Sequence, residues 1–310
     1  MSSRSESKIR EGLQYLAAAE KCIKTSLFKW SADWEGAASD YSKAGNCFKN
    51  AKSYEKASEA FRKAGEAQLK SQALYHAAKS YEQAALMLKE LNCIDEAVDL
   101  LKQASSMLSE HGSPASAAQA LNRAAKICEA TKAETAIDLY LRACELHKIE
   151  EKSNEAVECV GKAARLQLKL KKYTNVLGTM QQQCELYQSM EKFPSVFRAI
   201  IAMVIVYLKL GDKVAADNCF RSATEYPGFD TSEEGALIEN LLDSITEGDS
   251  ETFQKCIRNP IILHNDNEIA KLARDLRPPT VVLPDSNASS TGNALEPDDN
   301  NDDDVGDALN

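Results

Sequence analysis

The sequence predicts an all-α protein built as an array of antiparallel helix hairpins, and two observations lead to this fold class. The pattern small-x-x-x-large-x-x-small occurs seven times in residues 37–163, and successive copies start 19 or 20 residues apart. Residues i, i+4 and i+7 lie on one face of a helix, so each copy predicts a helix with a narrow apolar stripe. A fixed period of this length is typical of stacked repeats, and it accommodates a helix of about 16 residues and a short turn. The copies start at Ala37, Ala57, Ala77, Ala97, Ala117, Ala136 and Ala156.

Composition and charge limit the classes of function. With 44 % apolar and 27 % charged residues, the 310-residue chain has enough apolar material for a packed interior. Eight of its ten net negative charges fall in residues 285–310, so the preceding residues carry a net charge of only −2. A nucleic-acid-binding protein needs a basic footprint, and we therefore expect no nucleic-acid partner.

Targeting, membrane and metal signals are weak. Residues 1–10 are polar and charged, which predicts no secretory signal, and the apolar run 199–208 is too short to span a bilayer and indicates a buried helix. The nine cysteines form no C-x-x-C motif, which favours buried, reduced thiols in a cytosolic protein. Cys144 and His147 have a metal-like spacing, but zinc requires four ligands. We expect a helix-surface histidine beside a core thiol, and neither a metal nor another cofactor.

In chain order, the sequence begins with a predicted helix over residues 9–28, whose end overlaps an apolar turn with flanking lysines at 24–30. The repeat helices follow. Gly112, Ser113 and Pro114 predict a helix stop, an N-cap and the first turn of a new helix. Beyond residue 163 the pattern is first degenerate, then bulky and finally restored, in copies that start at Val176, Val196 and Ala216.

The C-terminal part is predicted to close the array. Shorter helices at 232–247, 250–258 and 266–277 are out of register with the repeat, and terminal units must hide their outer apolar face. Prolines and polar residues then predict a disordered tail. The predicted organisation is a hairpin-repeat array in 1–226, a helical capping bundle in 227–277 and a disordered acidic tail in 278–310.

Catalytic motifs are absent from the sequence. It contains no G-x-x-x-x-G-K-[ST] loop for phosphate, no G-x-G-x-x-G, no G-x-S-x-G and no H-E-x-x-H. The acidic pairs in the chain fit solvated helix ends better than catalytic carboxylates. We therefore expect that the protein is not an enzyme.

Three stretches together resemble the soluble NSF attachment protein family. They are the stepped repeat, the apolar turn at residues 27–30, and an acidic tail whose penultimate residue is Leu309. Residues 34–44 resemble the gamma branch most. The resemblance covers nearly all of residues 1–277 and implies a right-handed, tetratricopeptide-like array. Its hairpin period of 40 residues is longer than the roughly 34 residues of ordinary tetratricopeptide repeats.

The resemblance implies an adaptor. Members of the family lay helix hairpins along a SNARE four-helix bundle and recruit the hexameric ATPase NSF, which pulls the bundle apart in vesicle-mediated transport. The implied location is cytoplasmic, with peripheral association to the membrane.

Two other interpretations remain open. A general tetratricopeptide-type peptide-binding scaffold would need a clamp of Lys, Arg and Asn and the shorter period. The helical subunit of a heteromeric prenyltransferase would need tryptophan-bearing repeats.

The resemblance assigns a membrane contact to the apolar turn after the first helix. In the family the matching turn touches the lipid surface, and lysines beside it would be attracted to anionic lipid. The alternative is that these side chains pack between the first two hairpins. Trp34, one turn before the first stripe, is expected in the core. The membrane-contact residues are Leu27, Phe28, Lys29 and Trp30.

A second patch is implied to bind the SNARE bundle. The predicted helices 114–130 and 152–171 are alternate members of the array and should share a face, and a basic face would dock the acidic bundle surface. Lys162 matches a lysine that other family members use in this way, whereas Gln119 and Glu158 stand where the alpha form has lysines. The alternative is a solvated helix face. The residues are Arg123, Lys126, Lys162, Arg165 and Lys169.

The third patch is the end of the tail. Residues 302–310 resemble the acidic terminus of the family, in which the penultimate leucine is associated with stimulating the ATPase. Leu309 takes that position here. The alternative is ordinary acidic disorder, which is common at termini.

Overall fold

The computed structural model describes residues 3–25 and 30–278, and the regular structure in this part of the chain is helical, with no strand. This confirms the predicted all-α fold class. The fifteen helices of the described part are α1 (Ser3–Ile23), α2 (Trp34–Asn50), α3 (Tyr54–Lys70), α4 (Leu74–Glu90), α5 (Ile94–Glu110), α6 (Pro114–Cys128), α7 (Ala133–Ile149), α8 (Ser153–Lys169), α9 (Tyr173–Ser189), α10 (Phe193–Leu210), α11 (Lys213–Ala223), α12 (Glu233–Glu247), α13 (Ser250–Ile257), α14 (Pro260–Leu263) and α15 (Asn267–Arg274).

One residue in the left-handed conformation ends most of the repeat helices. The N–H of the residue after it bonds to a carbonyl five residues back, as Ser53 does to Phe48 at 2.9 Å. This 6→1 hydrogen bond satisfies a carbonyl that the helix end would otherwise leave unpaired. The predicted glycine stops at Gly112, Gly211 and Gly248 adopt φ of 76–79° and are confirmed. At the ends of the other repeat helices that use this conformation the left-handed residue is not glycine, and these positions are Lys52, Gln72, Asn92, Glu151, Lys171 and Glu191.

The turn between α6 and α7 departs from this rule. Helix α6 has 15 residues, whereas α5 and α7 each have 17. The N–H of Lys132 bonds directly to the carbonyl of Cys128 at 2.7 Å, and no left-handed residue intervenes. This shorter link accounts for the single 19-residue step in the repeat. Helix α6 itself begins as the sequence predicts, with Ser113 at the N-cap and Pro114 in its first turn.

Contacts between residues about two repeats apart show that alternate helices lie side by side. Arg123 on α6 reaches Glu82 on α4 at 2.6 Å, and Lys132, just before α7, reaches Asp95 on α5 at 2.6 Å. Similar contacts join α2 to α4, α3 to α5, α6 to α8 and α7 to α9. The even-numbered repeat helices therefore form one layer, here called the even layer, and the odd-numbered helices form the odd layer.

Small residues allow neighbouring helices to approach closely. The repeat alanines are almost completely buried, and in the first helices a glycine receives the aromatic residue of the next helix. A Cβ added to Gly45 would lie 2.7 Å from the Phe61 ring, and one added to Gly65 would lie 2.9 Å from the Tyr81 ring. The following copy has an alanine and a leucine in these two places. Where alanine replaces the glycine of one helix, a leucine thus replaces the aromatic residue of the next helix.

The interior is divided into two main apolar cores. The first is formed by α2–α8 together with Leu186 of α9, and the second joins α8–α10 to the helices that follow them. Helix α10 contributes ten buried residues to the second core. By length and composition alone α10 could cross a membrane, but 56 % of it is buried inside the fold, so the predicted buried helix is confirmed. The predicted domain boundary at residue 226 stays a prediction.

The ends of the array differ in part from expectation. Helix α1 covers Ser3–Ile23 and not 9–28, because the N–H of Asp33 bonds back to the carbonyl of Cys22 at 3.0 Å and the chain turns there. Helices α12, α13 and α15 lie within three residues of the predicted cap helices. The four-residue α14 has no counterpart in the prediction.

We expect Gly45→Ala to destabilise the protein and Gly178→Ala to stabilise it. At Gly45 the added methyl group would lie 2.7 Å from the buried Phe61 ring, and such overpacking costs about 1–3 kcal/mol, more than the gain in helix propensity. Gly178 is exposed on α9, and an added Cβ meets nothing within 4 Å, so a gain of about 0.5–1 kcal/mol remains. Urea unfolding followed by circular dichroism measures both free energies. Shifts of the same sign would contradict the close contact at Gly45.

Candidate partner-binding surfaces

The five basic residues predicted to bind the bundle lie on two neighbouring helices of the even layer. Helix α6 carries two of them and helix α8 carries three. The two helices touch, because the Sγ of Cys159 on α8 donates to the Oδ1 of Asn122 on α6 at 3.2 Å. Within each helix the basic residues are three or four positions apart, which places them on one face. The residues brought together in this way are Arg123, Lys126, Lys162, Arg165 and Lys169.

Arg123 is held by a buried carboxylate. Its Nη1 lies 2.6 Å from Oε2 of Glu82, whose side chain is only 4 % exposed, and Lys79 reaches the same oxygen at 3.3 Å. A carboxylate at this depth requires a cationic partner, because the loss of that partner would leave a buried charge uncompensated. Arg123 therefore helps to hold α6 against α4, and its charge is largely neutralised within the chain.

Lys162 is held more loosely. Its Nζ lies 2.6 Å from Oε1 of Glu158 one turn earlier, and 5.5 Å from the centroid of the Tyr140 ring. The hydrogen bond from Lys162 holds the pKa of the Glu158 carboxyl below its usual value. Both side chains are substantially exposed, so the ion pair is screened by water and easily exchanged.

Arg165 is paired with a residue of the C-terminal helices that close the array. Its Nε donates to Oδ2 of Asp266, which precedes α15, at 3.0 Å. Lys126 and Lys169 are exposed, and within residues 3–25 and 30–278 neither forms an ion pair. The basic face thus combines two uncompensated lysines with three cations that already contact carboxylates of the chain.

The two terminal patches are described only in part. Trp30 is 93 % exposed, so it does not pack between the first two hairpins. Leu27, Phe28 and Lys29 lie outside the described residues, as does Leu309. Trp34 begins α2 and packs against the small core of α1–α3, although it is only partly buried.

The prediction of a helix-surface histidine beside Cys144 was wrong. His147 is only 3 % exposed, and Nδ2 of Asn122 on α6 lies 3.4 Å from its Nε2. Burial lowers the pKa of His147 and raises the pKa of the Cys144 thiol to about 12, so both are uncharged at neutral pH. The described residues contain no group of three or more His, Cys, Asp or Glu side chains arranged for a metal ion.

Sequence reasoning missed the carboxylates that neutralise the basic face. Glu82 follows Tyr81 of the third repeat copy directly and lies 41 residues before Arg123, so a search for opposite charges two repeats apart could have found it. No local signal pairs Asp266 with Arg165, because 101 residues separate them. The sequence had placed Asp266 only at the start of a cap helix.

Comparison with known proteins places these surfaces in a family context. The family model described as "Soluble NSF attachment protein, SNAP" matches residues 10–259. The chain is 29 % identical over 266 residues to a gamma-soluble NSF attachment protein of Dictyostelium discoideum, covering 86 % of this chain and 82 % of the relative. It is 31 % identical over 267 residues to the Arabidopsis thaliana protein of the same name, covering 84 % and 90 % respectively.

The solved structures that match the chain share little sequence with it and superpose on it with low TM-scores. BtubC (BKLC) from P. vanneervenii is 15 % identical, with a TM-score of 0.38, and the match covers 74 % of this chain and 94 % of that one. A putative kinesin light chain from Podosopora anserina with nearly identical TPR-like repeats is 13 % identical, with a TM-score of 0.37, covering 62 % and 95 %.

The family model spans most of the repeat array and extends through the first two cap helices. The relative from Arabidopsis thaliana also exceeds 30 % identity over more than two thirds of both chains. The chain therefore belongs to the soluble NSF attachment protein family.

Proposed function

We propose that this chain binds assembled SNARE four-helix bundles, and that it recruits and stimulates the NSF hexamer for SNARE disassembly in vesicle trafficking. It would act in the cytoplasm, at a membrane surface. The observation that carries this proposal is the row of basic residues on α6 and α8, two touching helices of the even layer, in a chain of this family.

The array suits a long, rod-shaped partner. Each helix is fixed by its neighbours, so the basic side chains project from a surface whose spacing is set by the repeat. Exposed ion pairs contribute about 0.2–1 kcal/mol each, and binding therefore requires several of them acting together. Such contacts weaken as salt screens them. Lys126 and Lys169 offer uncompensated charge, while Lys162 and Arg165 exchange an internal partner for an external one.

The N-terminal turn is the proposed membrane contact. Trp30 is almost fully exposed, and tryptophan favours the boundary between lipid and water because its ring is apolar and its N–H is polar. Phe28 and Leu27 would add apolar area. Lys24 and Lys29 would contribute about 1 kcal/mol each near anionic lipid.

The tail is the proposed contact with the ATPase. Residues 285–310 contain eight acidic residues and no Lys or Arg, so they suit a basic groove. Leu309 would supply a single apolar anchor next to the terminus. This end would contact the motor while the array holds the bundle.

Charge reversal of Lys162 and Arg165 together should weaken binding of an assembled SNARE bundle by tenfold or more, because two attractive contacts become repulsive. The matched control is reversal of Lys102 and Arg142 on α5 and α7 of the odd layer, the first partly buried and the second exposed, which changes the net charge by the same amount. Titration at low salt measures both affinities. Equal affinities for the two double variants would contradict the proposed binding face.

Phe28→Ser combined with Trp30→Ser should reduce co-sedimentation with anionic vesicles and slow vesicle-supported disassembly, while the melting temperature stays unchanged. The contrasting variant is Trp34→Ser, which should lower the melting temperature because Trp34 packs against the core of α1–α3. If the first variant lost stability as much as the second, the turn would be structural and not a lipid contact.

Leu309→Ala should preserve bundle binding and reduce stimulation of NSF ATP hydrolysis severalfold, since it removes the proposed anchor and leaves all eight acidic residues of the tail in place. Ala308→Ser, a conservative change at the adjacent position, is the control. Normal stimulation by Leu309→Ala would contradict the proposed role of Leu309.

A further inference from the structure

A cleft of about 260 Å³ lies where the even layer meets the cap. Its walls come from α8, α9 and α10 on one side and from the start of α15 on the other. Apolar side chains such as Leu168 and Met180 line part of it. Its polar residues include Arg165, Arg198 and Asp266.

Two side-chain contacts fix the loop before α15 to the array. Asp266 accepts a hydrogen bond from Nε of Arg165 on α8 at 3.0 Å through its Oδ2, and Asn265 donates to the carbonyl of Arg198 on α10 at 2.7 Å. The other oxygen of Asp266 accepts the N–H of Glu268 at 2.8 Å and so caps α15. Asp266 therefore does two things at once: it starts a helix of the cap and neutralises a cation of the basic face.

This ion pair differs from the others on the basic face. The partner of Lys162 is on the same helix, and the partner of Arg123 is on the adjacent helix of the same layer. Among the described residues, the pair of Arg165 and Asp266 is the ion pair that links the repeat helices α1–α11 to the cap helices α12–α15. It is also partly open to water, with side chains 55 % and 23 % exposed.

We propose that this cleft is a carboxylate-binding subsite for an acidic side chain of the bound helix bundle, and that Asp266 occupies it in the unbound chain. This proposal rests on the proposed function, to which it adds a binding subsite and a conformational response of α15. An incoming Asp or Glu takes the place of Asp266 beside Arg165. Arg198 lines the same cleft, is exposed and forms no ion pair within the described residues, so its guanidinium is available to the same carboxylate.

Displacement of Asp266 has a second effect. Once its carboxylate leaves Arg165, the contact of Asn265 with the carbonyl of Arg198 is the remaining side-chain hydrogen bond between the loop before α15 and the array, within the part of the chain that the structure describes. Binding of a bundle at α8 should therefore loosen the start of α15. A partly exposed pair is weak enough to be exchanged in this way, because water already screens it.

The test is Asp266→Asn, which removes the charge but keeps an oxygen for the helix cap, since asparagine caps helices as well as aspartate does. At low salt this variant should bind the assembled bundle about three- to tenfold more tightly than the wild-type chain, because the internal competitor is gone. The control is Asp99→Asn, which removes an exposed, ion-paired carboxylate from the odd layer and should leave the affinity within twofold. The double variant with Arg165→Gln should lose the gain.

Hydrogen exchange provides a readout that does not depend on the variants. Addition of the bundle to the wild-type chain should speed amide exchange in residues 267–274 of α15, whereas exchange in the distant α3 should not rise. Unchanged affinity of Asp266→Asn, or unchanged or slower exchange in α15, would overturn the inference while the wild-type chain still binds. Failure of the wild-type chain to bind the bundle at all would refute the proposed function itself, and the subsite with it.

Discussion

Close approach of neighbouring helices through alanine and glycine is the constraint on which the rest of the structure depends. Gly45 and Gly65 have no room for a methyl group, and the alanines of every repeat copy are buried. Helices of 17 residues are marginal in isolation, so each of them is stable only because its neighbours cover its apolar stripe. The spacing of the surface residues follows from this packing, since the repeat that sets the distance between helices also sets the distance between the side chains they expose.

Internal carboxylates balance the basic face. The chain before residue 285 is nearly neutral, and the contacts show how this balance is arranged locally. Arg123 is committed to the buried Glu82, Lys162 to a neighbour on its own helix, and Arg165 to the cap. Only the first of these carboxylates is buried, so the other two cations keep partners that water already screens. A face of this kind avoids indiscriminate attraction to anions and still responds to a partner that presents several carboxylates at the right spacing.

The sequence was sufficient for features that depend on local pattern. The repeat period, the helical secondary structure and the helix ends at Gly112 and Gly211 all follow from residues close together in the chain. The features it did not predict depend on distant residues. Helix α1 ends early because Asp33 bonds back to it, and His147 is buried because Asn122 of the preceding helix meets it. The pair of Arg165 and Asp266 has no local signature at all. The sequence identified the basic residues, but only the structure shows which of them are paired with carboxylates.

The composition of α10 has a consequence for how the protein is made. This helix is apolar on nearly every side, and ten of its residues are covered in the finished fold. Part of that cover comes from α12 and α15, which are synthesised after it. A growing chain from which α10 has just emerged therefore exposes an apolar segment before the helices that cover it are in place, and chains in this condition aggregate or engage chaperones. The N-terminal repeats meet no such delay, since each new helix finds its neighbour already folded. Translation speed across residues 211–274 thus matters more for recovery of intact protein than speed over any comparable stretch upstream.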